Sequence, residues 1–204
     1  MTSTRYRLSF TSGGLLVREA GIAAPLYLSL RDWTKVRSVI EGENALQART
    51  VASGHRLARE LVQRLAELTD DEIDLLVYAT AVERGDLMWV AACRRYDLIG
   101  EFAEEVVRER FLLMTPTLLP ADFDSFVRAK SLWHEELPEL ADSTLRKLRT
   151  NLFLMLREAG VATEAGQIVR SVLSQRVAGV LAKRTPSDIR FFPANEVAAE
   201  GVGR

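Results

Sequence analysis

The sequence predicts an all-α protein folded as a compact helical bundle, and three observations carry that prediction. Apolar residues recur at spacings of three and four, as in Leu57, Leu61, Leu65 and Leu68, which is the period of a helix with one buried face. Residues that cap helix starts stand before several such runs, including Asp32, Ser53 and Thr69-Asp70-Asp71-Glu72. With 204 residues, 48% of them hydrophobic, the chain can bury a substantial core.

The opening Tyr6-Arg7-Leu8-Ser9-Phe10 alternates briefly and then reaches Thr11-Ser12-Gly13-Gly14, a stretch suited to capping a helix from about Gly14. That helix carries Leu15, Leu16, Ala20 and Ala23, and Pro25 is expected to interrupt or kink it. A second helix runs from the Asp32 cap through Val36, Val39 and Ile40 to Gly42, and a third from Ser53 through Leu68. Thr69 to Glu72 opens a fourth that carries Ile73, Leu76, Val77 and Thr80 and ends around Gly85; Asp86 starts a fifth, through Leu87, Val90 and Tyr96. After a break at Gly100 the pattern resumes with Phe102, Val106, Val107 and Phe111.

Pro116 and Pro120, two prolines within five residues of an uncharged stretch, are the strongest punctuation in the chain, and they divide it into an N-terminal helical subdomain, 1–115, and a C-terminal one, 116–204. In the second, Ala121 to Trp133 reads as a helix, Asp142 or Ser143 caps a long one to about Glu158, and Gly160 ends it. A further helix is expected from Thr163 through Ile168, Val169, Val172, Leu173 and Val177. Phe191-Phe192-Pro193 should dock on the body, and the Gly- and Ala-rich last residues should fray.

Composition narrows the function classes. Acidic and basic residues number 28 and 27, so any basic footprint must be local. The lone Cys93 forms no internal disulfide, no charged-then-apolar leader opens the chain, and charges interrupt every apolar run short of the roughly 20 residues a membrane span requires. A cytoplasmic protein is expected. His55 and His134 sit in no nucleophile or metal-ligand signature, Gly13-Gly14 lacks the rest of a phosphate loop, and the adjacent pairs Asp70-Asp71, Glu104-Glu105 and Glu135-Glu136 diverge by about 100° on a helix. No catalytic residue, metal, cofactor or small-molecule substrate is therefore expected. Trp33, Trp89 and Trp133 read as core residues.

Two basic stripes remain. If the helix after Ser53 buries its leucines, Arg56, Arg59 and Gln63 project together from the other side, with Arg49 and Thr50 just before its start and Glu60 nearby. If the helix after Ser143 buries Leu145, Leu148, Leu152 and Leu156, then Arg146, Lys147, Thr150 and Arg157 face outward with Arg149 at the margin. Leu137 to Gly160 then reads as helix, turn and basic amphipathic helix, the layout of a helix-turn-helix reader of duplex DNA. The candidate DNA-contacting residues are Arg49, Thr50, Arg56, Arg59, Arg146, Lys147, Arg149 and Thr150.

The run Tyr6 to Leu16 closely resembles the opening motif of the BrxA family, a small core component of bacteriophage exclusion (BREX) defence systems. Asp32-Trp33, Asn44 to Thr50, Arg56 with Glu60 and Arg64-Leu65, Cys93-Arg94-Arg95-Tyr96, Phe102, Lys147-Leu148-Arg149 and Met155 to Gly160 are similar to the family's landmarks in its order. The resemblance implies an all-helical protein with a NusB-like part and helix-turn-helix elements, binding double-stranded DNA beside other BREX subunits. The same arginines allow an alternative, a protein–protein adaptor within the defence complex that does not touch DNA. The two readings separate on salt dependence, which is steep for phosphate contacts.

Overall fold

In the computed structural model, which describes residues 5–10 and 13–194, helices account for the regular structure and only isolated two-residue bridges stand outside them. The helices are α1 (Val17–Leu30), α2 (Trp33–Gly42), α3 (Val51–Leu65), α4 (Asp70–Val77), α5 (Ala81–Arg95) and α6 (Asp97–Phe102). A π-helical turn, Ala103–Arg108, links α6 to α7 (Glu109–Leu112), and α8 (Pro120–Lys130), α9 (Asp142–Glu158) and α10 (Gln175–Leu181) follow. A 3-10 turn, Asp188–Phe191, closes the described chain.

Helix α5 is the axis of the fold: Gly85 to Cys93 are all buried, and α1, α3, α4, α6, α9 and α10 pack around it. A helix apolar on every side is stable only when other elements cover it. The C-terminal segment does part of this, because Phe191 and Phe192 are buried and the Phe191 carbonyl accepts from Trp89 Nε1 at 3.0 Å. Their docking is as the sequence predicts. Buried residues from Tyr6 to Ala194 lie in one hydrophobic cluster.

Several boundaries differ from the sequence reading. Helix α1 starts at Val17 and runs unbroken through Pro25: the proline removes one helical bond, and burial of Ala20, Ala23 and Ala24 on the same helix outweighs it. Helix α3 is capped by Thr50, with Ser53 as its reciprocal partner. Thr80 and Glu83 form a capping box, so α5 begins at Ala81 and carries Gly85 and Asp86 in its interior. Gly100 likewise sits inside α6, its amide bonded to the Tyr96 carbonyl at 3.1 Å.

No helix forms at 163–174. A turn at Gly166, where φ is 79°, folds this segment back so that Thr117 bridges Gln167 and Ala162 bridges Ile168. A side chain at Gly166 would also collide with the Leu118 carbonyl, so this turn takes glycine for both reasons. The helix-turn-helix expected over Leu137 to Gly160 lacks its first helix, since 134–141 consists of turns. Trp133 is 76% exposed rather than core, whereas Trp89 is fully buried and Trp33 stacks on Tyr27 at 4.0 Å. The capping expected of Thr11-Ser12 and the fraying expected after Ala194 lie outside the described residues.

Candidate nucleic-acid interface

Helices α2 and α3 pack against each other across an eight-residue connection, 43–50, whose shape is set by local bonds. Asn44 takes a positive φ of 46°, and its side chain both accepts from the Ala48 amide at 3.0 Å and donates to the Ala48 carbonyl at 3.3 Å. Arg18 holds Gln47 from α1 at 2.7 Å. Thr50 Oγ1 then accepts from the Ser53 amide at 3.2 Å while Ser53 Oγ accepts from the Thr50 amide at the same distance, which fixes where α3 starts. Glu41 at the end of α2 meets His55 Nδ1 at 2.9 Å and Arg37 Nε at 2.6 Å. The side-chain bond from Arg37, against the cost of burial, holds the Glu41 carboxyl below its ordinary value, with His55 adding to it.

The sequence-predicted stripe is present on α3. Ala58, Leu61 and Leu65 are buried, while Arg49, Thr50, Arg56 and Arg59 are exposed on the opposite side. Among the described residues, no ion pair or side-chain hydrogen bond engages Arg49, Arg56 or Arg59. Glu60, the acid nearest in sequence, turns inward: it accepts from Arg64 Nε at 2.7 Å and from the Tyr96 hydroxyl at 2.5 Å. It therefore leaves the charge of the arginines uncompensated. Thr50 is committed to capping.

On α9 the predicted residues divide. Leu148, Leu152, Met155 and Leu156 are buried, and Arg146, Lys147, Thr150 and Arg157 are exposed, as the stripe requires. Arg149 instead pairs with Asp124 of α8 at 2.5 Å, and the Thr150 hydroxyl donates back to the Arg146 carbonyl at 2.8 Å. Arg146 and Lys147 carry no ion pair among the described residues. The C-terminal ends of α3 and α9 meet at one turn, where Arg64 donates to the Gly14 carbonyl at 2.7 Å and Glu158 accepts from the Leu15 amide at 2.5 Å. At 1.5 Å per residue, Arg56 lies about 12 Å and Lys147 about 16 Å from that junction along their helices.

Sequence reasoning missed the buried ionic residues, and their chemistry is structural. Arg94 on α5 bonds Glu72 and Asp188 together, and Arg64 is fully buried. Burial pushes the Cys93 thiol well above its ordinary value. Burial, with the charge of Glu83 added, raises the Asp86 carboxyl to about 6. Cys93, Arg94 and Asp188 line one cleft of about 370 Å³, whereas Arg64, Glu72 and Asp86 lie outside its lining. Among the described residues no group of His, Cys, Asp and Glu is arranged to hold a metal ion, and no helix is long and apolar enough to cross a membrane.

The family model for BrxA matches residues 4–185. The chain belongs to the BrxA family. One relative described as BREX protein BrxA, from Paramagnetospirillum magneticum (strain ATCC 700264 / AMB-1), is 26% identical over 165 residues, 81% of this chain and 83% of its own. Another of that description, from Escherichia coli O9:H4 (strain HS), is 29% identical over 148 residues, 72% of this chain and 70% of its own. A crystal structure of an uncharacterized protein from Magnetospirillum magneticum superposes with a TM-score of 0.76 at 24% identity, covering 92% of this chain and 97% of that one. That likeness shows a shared fold.

Proposed function

We propose that this BrxA-family protein is a non-catalytic subunit of a BREX phage-defence complex that binds double-stranded DNA, with α3 laid against the duplex. The observation that carries this reading is the exposed edge of Arg49, Arg56 and Arg59, free of ion pairs among the described residues and set at the start of a helix presented by its α2 partner. Helix-turn-helix readers use the N-terminal half of the second helix in this way. Lys147 at the start of α9 supplies a further phosphate contact, whereas Thr50, Thr150 and Arg149 hold the interface in shape through their local bonds. Other BREX subunits are its protein partners, and the cytoplasm, where the DNA lies, is its compartment.

Binding to a random-sequence duplex, followed by fluorescence anisotropy across a salt series, tests the reading. Three phosphate contacts from α3 give a slope of about −2.7 in log affinity per log salt, and each lost contact removes about 0.9. Arg56→Ala/Arg59→Ala should weaken binding and flatten the slope by about 1.8, with circular dichroism unchanged. An affinity indifferent to salt, or no binding at low salt, would leave the adaptor reading in its place.

A further inference from the structure

The connection between α8 and α9 holds features that the DNA interface does not use. Between the two helices lies a cleft of about 500 Å³ floored by Val127, Leu137, Pro138 and Leu145. The walls run in opposite residue order. Asp124 of α8 meets Arg149 of α9, and about one turn along, Arg128 and Arg146 both line the cleft. Arg128 and Arg146 form no ion pair among the described residues, although Asp142 lines the cleft as well. The first rung thus shows a carboxylate bridging the walls through an arginine, and the second has two arginines and no such bridge. Just past Ser131, which also lines the cleft, Leu132 and Trp133 are 78% and 76% exposed.

An exposed Leu-Trp pair beside an apolar floor is costly to leave in water and is the composition of an interface hot spot. Duplex DNA fits this place poorly, because Asp124 and Asp142 line the cleft and would face phosphates. A helix that brings its own apolar stripe fits a groove between two helices, and carboxylates flanking that stripe complete the second rung. We infer that the α8–α9 cleft is the docking site for an acidic amphipathic helix of a partner protein, with its apolar face on the cleft floor, carboxylates on Arg128 and Arg146, and its edge against Leu132 and Trp133. This surface is distinct from the α3 edge.

The probes are a labelled helical peptide of about 18 residues with a leucine face flanked by glutamates, its lysine-flanked counterpart, and a duplex of about 20 base pairs. The glutamate peptide should bind and shift the emission of exposed Trp133 to shorter wavelength, a shift that Trp133→Phe abolishes. Arg128→Glu/Arg146→Glu should weaken it by about tenfold or more and favour the lysine peptide, while Arg56→Ala/Arg59→Ala leaves it unchanged. Circular dichroism confirms folding of each variant. Equal binding of both peptides, or of neither, overturns the proposal. So does a loss on Arg128→Glu/Arg146→Glu that falls on the duplex and spares the peptide. Failure of the α3 variant to affect DNA would refute only the DNA reading.

Discussion

Arg94→Ala removes the cation that ties three parts of the chain together. Its guanidinium donates to Glu72 at 2.6 and 2.7 Å, to Asp188 at 2.7 and 3.0 Å and to the Glu67 carbonyl at 2.8 Å. The side chains of Arg94, Glu72 and Asp188 are 5%, 1% and 3% exposed, so the variant strands two carboxylates away from water. Stranding one partner of a buried pair costs about 3–5 kcal/mol. Glu72 keeps the Thr69 amide at 2.7 Å and Asp188 keeps Arg184 at 3.8 Å, which places the expected loss near the lower bound, ~3 kcal/mol. Urea denaturation at neutral pH, followed by circular dichroism and by fluorescence of Trp89, measures it. Arg94→Met/Glu72→Gln/Asp188→Asn, which removes the stranded charges, should lose clearly less. The pH dependence adds a check of sign. Burial pushes the Glu72 carboxyl up, and the bonds from Arg94 and the Thr69 amide more than reverse this, so that it lies below its ordinary value in the native protein. Its contribution is therefore present at neutral pH and is lost on acidification. Without Arg94 burial dominates, the native carboxyl rises, and the gap between variant and wild type should narrow as pH falls below about 5. A loss under about 1 kcal/mol, or a triple variant as unstable as the single one, would refute the assignment.

Glu83 caps α5 through the Thr80 amide and accepts from Ser174 and Arg176 of the α10 region, bonds that lower its carboxyl to about 2. Its stabilising effect should be complete above the ordinary carboxylate range and vanish as pH falls toward 2, and Glu83→Gln should flatten that part of the stability profile in a pH series of urea melts. Asp86 has the opposite sign: its raised carboxyl penalises the native state above about pH 6 and not below about pH 4. Asp86→Asn should raise stability at pH 7.5 by ~1–3 kcal/mol and leave it nearly unchanged at pH 4. At Gly14 an added Cβ would run into the Glu158 carboxylate, so Gly14→Ala should displace the acceptor of the Leu15 amide and lower stability by about 1–3 kcal/mol, measured by thermal melting.

How much was legible in the sequence follows the range of the forces involved. Asp32 and the Thr69 to Glu72 box act within one turn and were readable where they stand. Thr80 and Glu83 carry the same signature, which Gly85-Asp86, itself resembling a helix break, masks. Burial of Gly85 to Cys93 outweighs the entropic cost of a mid-helix glycine, so the helix runs through it. Ile168, Val169 and Val172 have the spacing of a helix, yet two of their amides find partners in other segments: Ile168 donates to Pro116 and Val169 to Val161. The basic edge of α3 was readable because amphipathic periodicity alone places Arg56 and Arg59 opposite the leucines. The inward turn of Glu60 was not, since Tyr96 is supplied by a helix 36 residues away.

The same distinction separates the residues that mark the family from those that carry the proposed activity. Tyr6 donates its amide to Glu136 and stacks on His134 at 3.7 Å, and Phe10 is fully buried with its carbonyl accepting from Asn151 of α9. Gly14 and Leu15 join Arg64 of α3 to Glu158 of α9, and Arg94 and Tyr96 bond within the core. Tyr6, Phe10, Gly14 and Leu15 of this motif stitch the first described residues of the chain between helices that lie far apart in sequence. A resemblance built on such residues reports the fold with high specificity and says little about the outer faces of α3 and α9. Arg49, Arg56 and Lys147 stand out among the landmarks because they are exposed and bear no internal side-chain bond among the described residues. A side chain without a structural task in the folded chain is where a task outside it is to be sought, and Arg49, Arg56 and Lys147 are therefore the positions at which loss of DNA binding without loss of stability would weigh most.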